Sequence, residues 1–411
     1  MKILLCHNFY QQSGGEDVAV LALRELLEAK GHQVIFYTED NREIKKYGVF
    51  RKAGFIPRTV FSGRTYRRLR RIAGQEKPDI AHVHNVFPLV SPAVYVALKR
   101  ACIPIVQTIH NYRLMCINGL FLRDGRICER CKAGNFFSGF RFKCYRNSYT
   151  LSGLYALSIG GHRRWGTFNL IDRFVAPSHF AAMKIAESGV ADISKISVLE
   201  NFLPSPIPEC GDSDLANPYI VYLGRLSHEK GIITLLKAMA DTPALRLKLM
   251  GTGPLEQAIQ SYICDHRLGN VEMLGFIDGE EKYRILRGAL CCVVPSECYE
   301  TFGSPVIESA SVGTPVVASR IGALAETIVH GENGVFFASG ESADLRAKLE
   351  MLAASPEFVR RIGQRARQQV EARYTSDAHY ERLMNLYEGV MRPLWTGAVA
   401  KTVQEVTSLR G

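Results

Sequence analysis

The chain has 411 residues, 47% of them hydrophobic and 22% charged, and a formal net charge of +11. That length exceeds what one core usually serves and points to about two ordinary globular domains. No apolar run reaches the roughly 20 residues that span a bilayer, and eleven cysteines scattered through strand-like and loop segments fit a reducing compartment better than a disulfide framework.

The first segment, Met1-Lys-Ile-Leu-Leu-Cys6, reads as a short buried strand. It lacks the longer apolar core and the cleavage site of a signal peptide, so a cytoplasmic location is expected. Gly14-Gly15 follows at a strand-to-helix junction, where backbone amides can approach a phosphate or sugar; a simple tight turn explains the pair equally well. The fingerprints G-x-G-x-x-G and G-x-x-x-x-G-K-[ST] are absent, which counts against a dinucleotide oxidoreductase and a P-loop ATPase.

From Arg42 to Lys77 basic residues crowd together (Lys45, Lys46, Arg51, Lys52, Arg58, Arg64, Arg67, Arg68, Arg70, Arg71), opposed only by Glu43 and Glu76. Tyr66, Leu69 and Ile72 or Ala73 recur among them at helical spacing, which predicts a helix basic on one face and apolar on the other. It either covers a sheet or rests peripherally on an anionic membrane surface. Without a reading motif the patch gives no basis for a nucleic-acid partner.

Strand and helix signals alternate throughout, as in parallel sheets covered by helices on both faces. Strands are expected at Lys2 to Cys6, Val34 to Tyr37, Ile80 to His84, Ile105 to Ile109 and Phe174 to Ala176. The Pro-, Ser- and Asp-rich stretch 204–218 reads as a linker between a domain at 1–203 and a second at 219–375. In the second domain strands are expected at Tyr219 to Leu223, Leu245 to Met250, Val271 to Leu274, Leu290 to Val294, Pro315 to Ala318 and Val335 to Phe337; helical spacing runs from Ala343 to Met391. Ligands of such sheets bind beyond the carboxyl ends of the strands.

Two segments at those ends carry the chemistry. Gly224-Arg225 leads to Lys230-Gly231, and a fork of donors with a mobile charge suits a departing diphosphate. Glu300-Thr-Phe-Gly-Ser-Pro-Val-Ile-Glu308 sets two carboxylates around a Gly303-Ser304 turn, with Pro305 placed to open a helix. The carboxylates can accept hydrogen bonds from hydroxyls on either side of a diphosphate. Gly251-Thr-Gly253-Pro254 reads as a turn flanking the same strand ends.

Gly14-Gly15, Thr108-Ile109-His110, Gly224-Arg225, Glu229-Lys230-Gly231, Gly251-x-Gly253-Pro254, and Glu300-x-Phe302-Gly303 with Glu308 and Gly313-Thr314-Pro315 together resemble a family 4 (group 1) retaining glycosyltransferase, in order from Lys2 to about Tyr387. The resemblance implies the α/β GT-B fold: two doubly wound Rossmann-like domains facing across a cleft, with C-terminal helices at 376–411 packing back on the N-terminal domain. It implies that Arg225 and Lys230 hold the diphosphate of a UDP- or GDP-sugar with the Gly303 and Ser304 amides. Glu308 would bind the ribose, Glu300 the sugar, and His110 would sit near the reacting carbon. His110, Arg225, Lys230 and Glu300 are then the expected catalytic residues; Gly14, Gly15, Phe302, Gly303, Ser304 and Glu308 complete the donor site. No cofactor is needed for the chemistry, and the acceptor is expected to be a glycan or lipid-linked, in polysaccharide or lipopolysaccharide assembly. Two departures bear on the acceptor: Asn111 stands where Asp is common, and Asn201-Phe-Leu-Pro204 where the family has Asn-Gly-Val-Asp.

An insert at about 113–147 contains Cys116, Cys128, Cys131 and Cys144. A C-x-x-C pair with two further cysteines has the ligand count of a structural zinc site, and equally suits four reduced thiols in a loop. Two competing readings are a GT-B sugar-nucleotide epimerase, for which acid and base carboxylates cannot be placed, and a zinc-stabilised basic nucleic-acid-binding protein.

Overall fold

The structure, a computed structural model, describes residues 1–11, 14–46, 55–211 and 217–408; for residues 45, 46, 56 and 393–408 it describes the backbone alone. Lys45, Lys46, Arg51 and Lys52 of the basic segment and 212–216 of the expected linker therefore fall wholly or in their side chains outside the described residues.

The N-terminal sheet contains β1 (Lys2–Phe9), β2 (Gln33–Asp40), β3 (Ile80–Val83), β4 (Ile105–Thr108), β7 (Arg173–Ala176) and β8 (Ile196–Val198), after a small hairpin of β5 (Leu122–Arg123) and β6 (Arg126–Ile127). The C-terminal sheet contains β9 (Tyr219–Leu223), β10 (Arg246–Met250), β11 (Val271–Gly275), β12 (Cys291–Val294), β13 (Val316–Ser319) and β14 (Gly334–Phe337). Their orders are β2-β1-β3-β4-β7-β8 and β11-β10-β9-β12-β13-β14, and all pairings within them are parallel. Both are doubly wound orders whose direction reverses once, between β1 and β3 and between β9 and β12, and ligands collect at such switch points.

Alternation along each strand divides its side chains between two covered faces. Leu4 and Cys6 of β1 belong to one core cluster and Ile3 and Leu5 to another; in β9 Ile220 and Tyr222 separate in the same way from Tyr219 and Val221. Serines cap several covering helices. Ser62 accepts from the Thr65 amide at 3.2 Å, Ser148 from Leu151 at 3.3 Å and Ser178 from Ala181 at 3.1 Å, each satisfying a first-turn donor.

The basic segment forms a helix at Gly63–Glu76 with Thr65, Leu69 and Ala73 buried. Arg64, Arg67, Arg68, Arg70 and Arg71 are exposed. Its apolar face is thus used up in the protein's own core, so it has charge to offer a membrane but no apolar face to insert.

The last helix, Ser376–Ser408, crosses back to the N-terminal sheet, where Leu383, Tyr387 and Val390 pack with Ile3, Leu5, Leu23 and Leu27. The two passages between domains run side by side: the Leu203 amide donates to Tyr374 at 2.9 Å, and Leu203 bridges to Thr375. Buried Glu200 holds Arg373 on one side and Arg382 at 2.7 Å on the other, and Phe202 lies against His379 with ring centres 4.4 Å apart.

Candidate active site

Each half of the site is built by a loop that leaves its sheet beside the switch point. In the C-terminal domain, Gly231 follows Lys230 with φ +67°, and a Cβ there would lie 1.9 Å from the Pro295 carbonyl oxygen. Only glycine lets the loop after β9 press this closely on the loop after β12. The approach sets Lys230 Nζ 2.6 Å from Glu300 Oε1, an oxygen that also accepts from Ser296 Oγ at 2.5 Å. Burial opposes both charges, yet Glu300 raises the Lys230 pKa overall, and Lys230 with Ser296 hold Glu300 below its usual range. The pair is ionised at neutral pH.

The second carboxylate lies on the helix Ser304–Ala310, which opens at Gly303 with φ +94°. A Cβ at 303 would also stand 2.6 Å from Leu324 Cδ2. Glu308 Oε1 pairs with Lys282 Nζ at 3.0 Å, and Lys282 also reaches Asp278 at 3.2 Å. Lys282 belongs to no motif and was not expected from the sequence. Arg225 is exposed on the turn after β9, its carbonyl accepting from the Tyr222 hydroxyl at 2.8 Å.

Phe302 departs from expectation. Its side chain is 3% exposed and sits in a cluster with Leu203, Ile307 and Tyr374, so it packs the hinge side of the loop and its ring does not face a donor. Gly14 precedes the helix Gly15–Ala29, and a Cβ at either Gly14 or Gly15 would meet open space; packing does not demand glycine there.

The N-terminal half is lined by neutral rings. His110, just past β4, shares a 2.9 Å hydrogen bond from its Nε2 to His84 Nδ1, and the two rings stack at 5.2 Å. His84 stacks in turn on His82 at 4.4 Å. His82 is held at both nitrogens, by the Tyr387 hydroxyl at 2.7 Å and Thr108 Oγ1 at 2.6 Å. Burial lowers the pKa of all three, His82 to about 3. Asn111 Nδ2 donates to the Tyr10 hydroxyl at 3.0 Å and to Glu16 at 3.1 Å. This accounts for asparagine where the family commonly has aspartate, since a second carboxylate would face Glu16 without a donor. Glu16 gave no signal of its own in the sequence, standing in a helix first turn where acidic residues are ordinary.

Across the cleft the halves touch. Thr301 Oγ1 donates to the His110 carbonyl at 3.0 Å, Tyr112 to the Glu300 carbonyl at 3.3 Å, and Ser178 Oγ to the Thr301 carbonyl at 2.8 Å. Glu326 accepts from the His179 amide at 2.8 Å and from the Phe180 amide. His110, Lys230 and Glu300 are thereby brought to one place, with Glu308 one helical turn along the same loop-helix unit.

The four insert cysteines line one small cavity together with Ile117, Asn118, Leu122, Arg123, Ser138, Gly139 and Phe142. Among the described residues, no group of three or more His, Cys, Asp or Glu side chains is gathered tightly enough to hold a metal ion as it stands.

Two parallel doubly wound domains with a cleft between their strand ends define a two-domain α/β protein of GT-B fold. The model of the family described as Glycosyltransferase Family 4 matches residues 13–204 and that of Glycosyl transferases group 1 matches residues 210–369; the chain belongs to this glycosyltransferase family. It is similar to glycogen synthase of Mycobacterium tuberculosis, 27% identical over 74% of this chain and 66% of that one. It is also similar to an uncharacterised glycosyltransferase of Methanocaldococcus jannaschii, 24% identical over 92% of this chain and 95% of that one. Among solved structures, sucrose-phosphate synthase of Thermosynechococcus elongatus superposes with a TM-score of 0.71 at 18% identity, covering 97% of this chain and 100% of that one. HepE of Anabaena in complex with UDP superposes with a TM-score of 0.68 at 16% identity, over 95% and 100%.

Proposed function

We propose that this chain transfers a sugar, with retention at the reacting carbon, from a UDP- or GDP-sugar to a glycan or lipid-linked acceptor in cell-surface polysaccharide assembly. The observation that carries the reading is the ionised Lys230–Glu300 pair at the β9/β12 switch point, held against His110 through Thr301. The relative HepE, solved with UDP and with UDP-glucose, supports a uridine nucleotide as the first donor to test.

In this mechanism Arg225 and Lys230 take the diphosphate, whose charge grows as the bond to the sugar breaks. Lys230 exchanges its contact with Glu300 for a phosphate oxygen, which frees Glu300 to accept from a sugar hydroxyl. Glu308, oriented by Lys282, accepts from the ribose hydroxyls. Positive character on the sugar carbon develops beside a neutral His110, which adds no opposing charge. The leaving phosphate takes the acceptor proton on the same face, so no side-chain nucleophile or metal is required. Ser178, Thr301 and Glu326 hold the cleft closed and limit hydrolysis of the donor.

A thermal-shift panel of UDP, GDP and their sugars tests the reading. UDP or GDP is expected to raise the melting temperature, and Arg225→Ala to abolish the rise; no shift with any nucleotide would sink it. The exposed arginines of Gly63–Glu76 supply charge for peripheral contact with an anionic membrane, and loss of vesicle co-sedimentation on replacing Arg67 and Arg71 by Glu is the matching test. Among the described residues, no helix is long and apolar enough to cross a membrane.

A further inference from the structure

The transfer reading leaves the cysteine insert unexplained. Its sulfurs come from four separate turns: Cys116 beyond β4, Cys128 directly after β6, Cys131 one turn on, and Cys144 after the short helix Phe137–Arg141. They nonetheless ring a single cavity of about 10 Å³, the space of roughly one water molecule or ion. The backbone is shaped around the sulfurs. The Cys128 amide closes the hairpin on the Phe121 carbonyl at 2.7 Å, and the Cys144 amide donates to Gly139 at 3.0 Å. Asn118 Oδ1 accepts from both the Cys116 thiol at 3.0 Å and the Leu120 amide at 2.9 Å, which fixes the turn around that sulfur. A Cβ on Gly139 would stand 2.4 Å from Ile117 Cδ1 and 3.3 Å from Cys131 Sγ, so glycine is what lets this turn close over the sulfurs.

The cavity is also lined by a cation, ion-paired with Asp124. Arg123 lines it with its guanidinium carbon 3.9 Å from the Phe142 ring centre, and its buried Nε has no hydrogen-bond acceptor, only Asp124 at 3.7 Å. Arg130 sits over the other reach of the same ring at 5.7 Å. Four thiolates around a divalent ion carry a net charge of about −2 and accept N–H donors at sulfur, so they would place a second anion beside Arg123 and Arg130.

We propose that Cys116, Cys128, Cys131 and Cys144 bind one zinc ion as a structural site. Binding converts four thiols to thiolates, releases their protons to solvent, and changes no oxidation state. A tetrahedral site puts its sulfurs about 3.8 Å apart, from Zn–S bonds of about 2.3 Å. Four protein ligands leave no open position, so the ion takes no part in transfer. Its effect reaches the cleft mechanically: the same insert carries Phe121, edge-on to Tyr299 at 6.3 Å, and follows Tyr112, bonded to Glu300.

The test is the metal content of the purified full-length chain, measured by plasma mass spectrometry after gel filtration. About one zinc per chain is expected, released on titration of cysteines with a mercurial reagent. The double replacement of Cys128 and Cys131 by Ser is expected to lose it, while Cys264→Ser, at an exposed position elsewhere, keeps it. If the double variant does not fold, the mercurial titration of the unaltered chain decides alone. Less than a tenth of an equivalent of zinc, iron in its place, a disulfide within the insert, or zinc retained by the double variant overturns the assignment. Nucleotide-induced thermal shifts should survive zinc removal, because Arg225, Lys230 and Glu308 lie in the other domain, so failure here is separable from failure of the transfer reading.

Discussion

The two walls of the cleft solve opposite electrostatic problems. The C-terminal wall sets its ionisable groups in opposite-charge pairs, Lys230 with Glu300 and Lys282 with Glu308, each pair retaining some access to solvent. The N-terminal wall keeps His82, His84 and His110 neutral by burying them, stacked on one another. A charged wall can exchange one partner for another when a diphosphate arrives. Neutral imidazoles can sit beside a carbon that turns positive without adding like charge. The difference assigns the donor and its departing diphosphate to one wall and the surroundings of the reacting carbon to the other.

The largest expected effect comes from breaking the charged wall. Lys230→Ala removes a diphosphate contact and leaves Glu300 without its partner, and it is expected to lower kcat by about 10²–10³-fold and to cost about 1–3 kcal/mol of stability, read by steady-state rates and urea unfolding. Next, Glu308→Ala should raise KM for the donor with little change in kcat, whereas Glu300→Ala should mainly lower kcat; equal effects on both parameters would tell against dividing ribose from sugar between them. The neutral wall predicts a pH signature. In the unfolded chain His82 takes a proton below about pH 6.5, but in the fold it stays neutral down to about 3. Across that window the unfolded state binds the extra proton, so stability should fall as pH drops, by up to about 1.4 kcal/mol per unit. A His82→Gln variant should flatten the slope measured between pH 7 and 5, and an unchanged slope would remove His82 from the account. The smallest effect is expected at Asn111→Asp, where a second carboxylate beside Glu16 should cost about 0.5–1.5 kcal/mol and leave nucleotide-induced thermal shifts as they were.

Most of the sheet framework could be read from the chain because buried parallel strands are short apolar runs ending in Gly or polar turns. Tyr219–Leu223 matches residue for residue, and the other expected strands lie within a few residues of those found. Ile196–Val198 escaped because three residues give no pattern, and the hairpin at Leu122–Arg123 and Arg126–Ile127 is shorter still. In the candidate site, residues within motifs were visible and their partners were not. Lys282, Glu16 and Ser296 acquire meaning only when the fold brings them to Glu308, Asn111 and Glu300, across separations that local spacing does not encode. Phe302 shows the converse: its place in a motif suggested a ligand contact, and its burial shows a packing role.

The return of Ser376–Ser408 to the first sheet makes the boundary between the domains a matter of topology, because the N-terminal domain is not a continuous stretch of chain. A polypeptide ending within 204–218 would lack Leu383, Tyr387 and Val390, and the sheet face they cover, with Ile3, Leu5, Leu23 and Leu27, would be left as an open apolar patch. Such a fragment should aggregate when made alone. Supplied in trans with residues beyond 218, it should recover a soluble two-piece assembly, since the missing wall arrives on the other fragment.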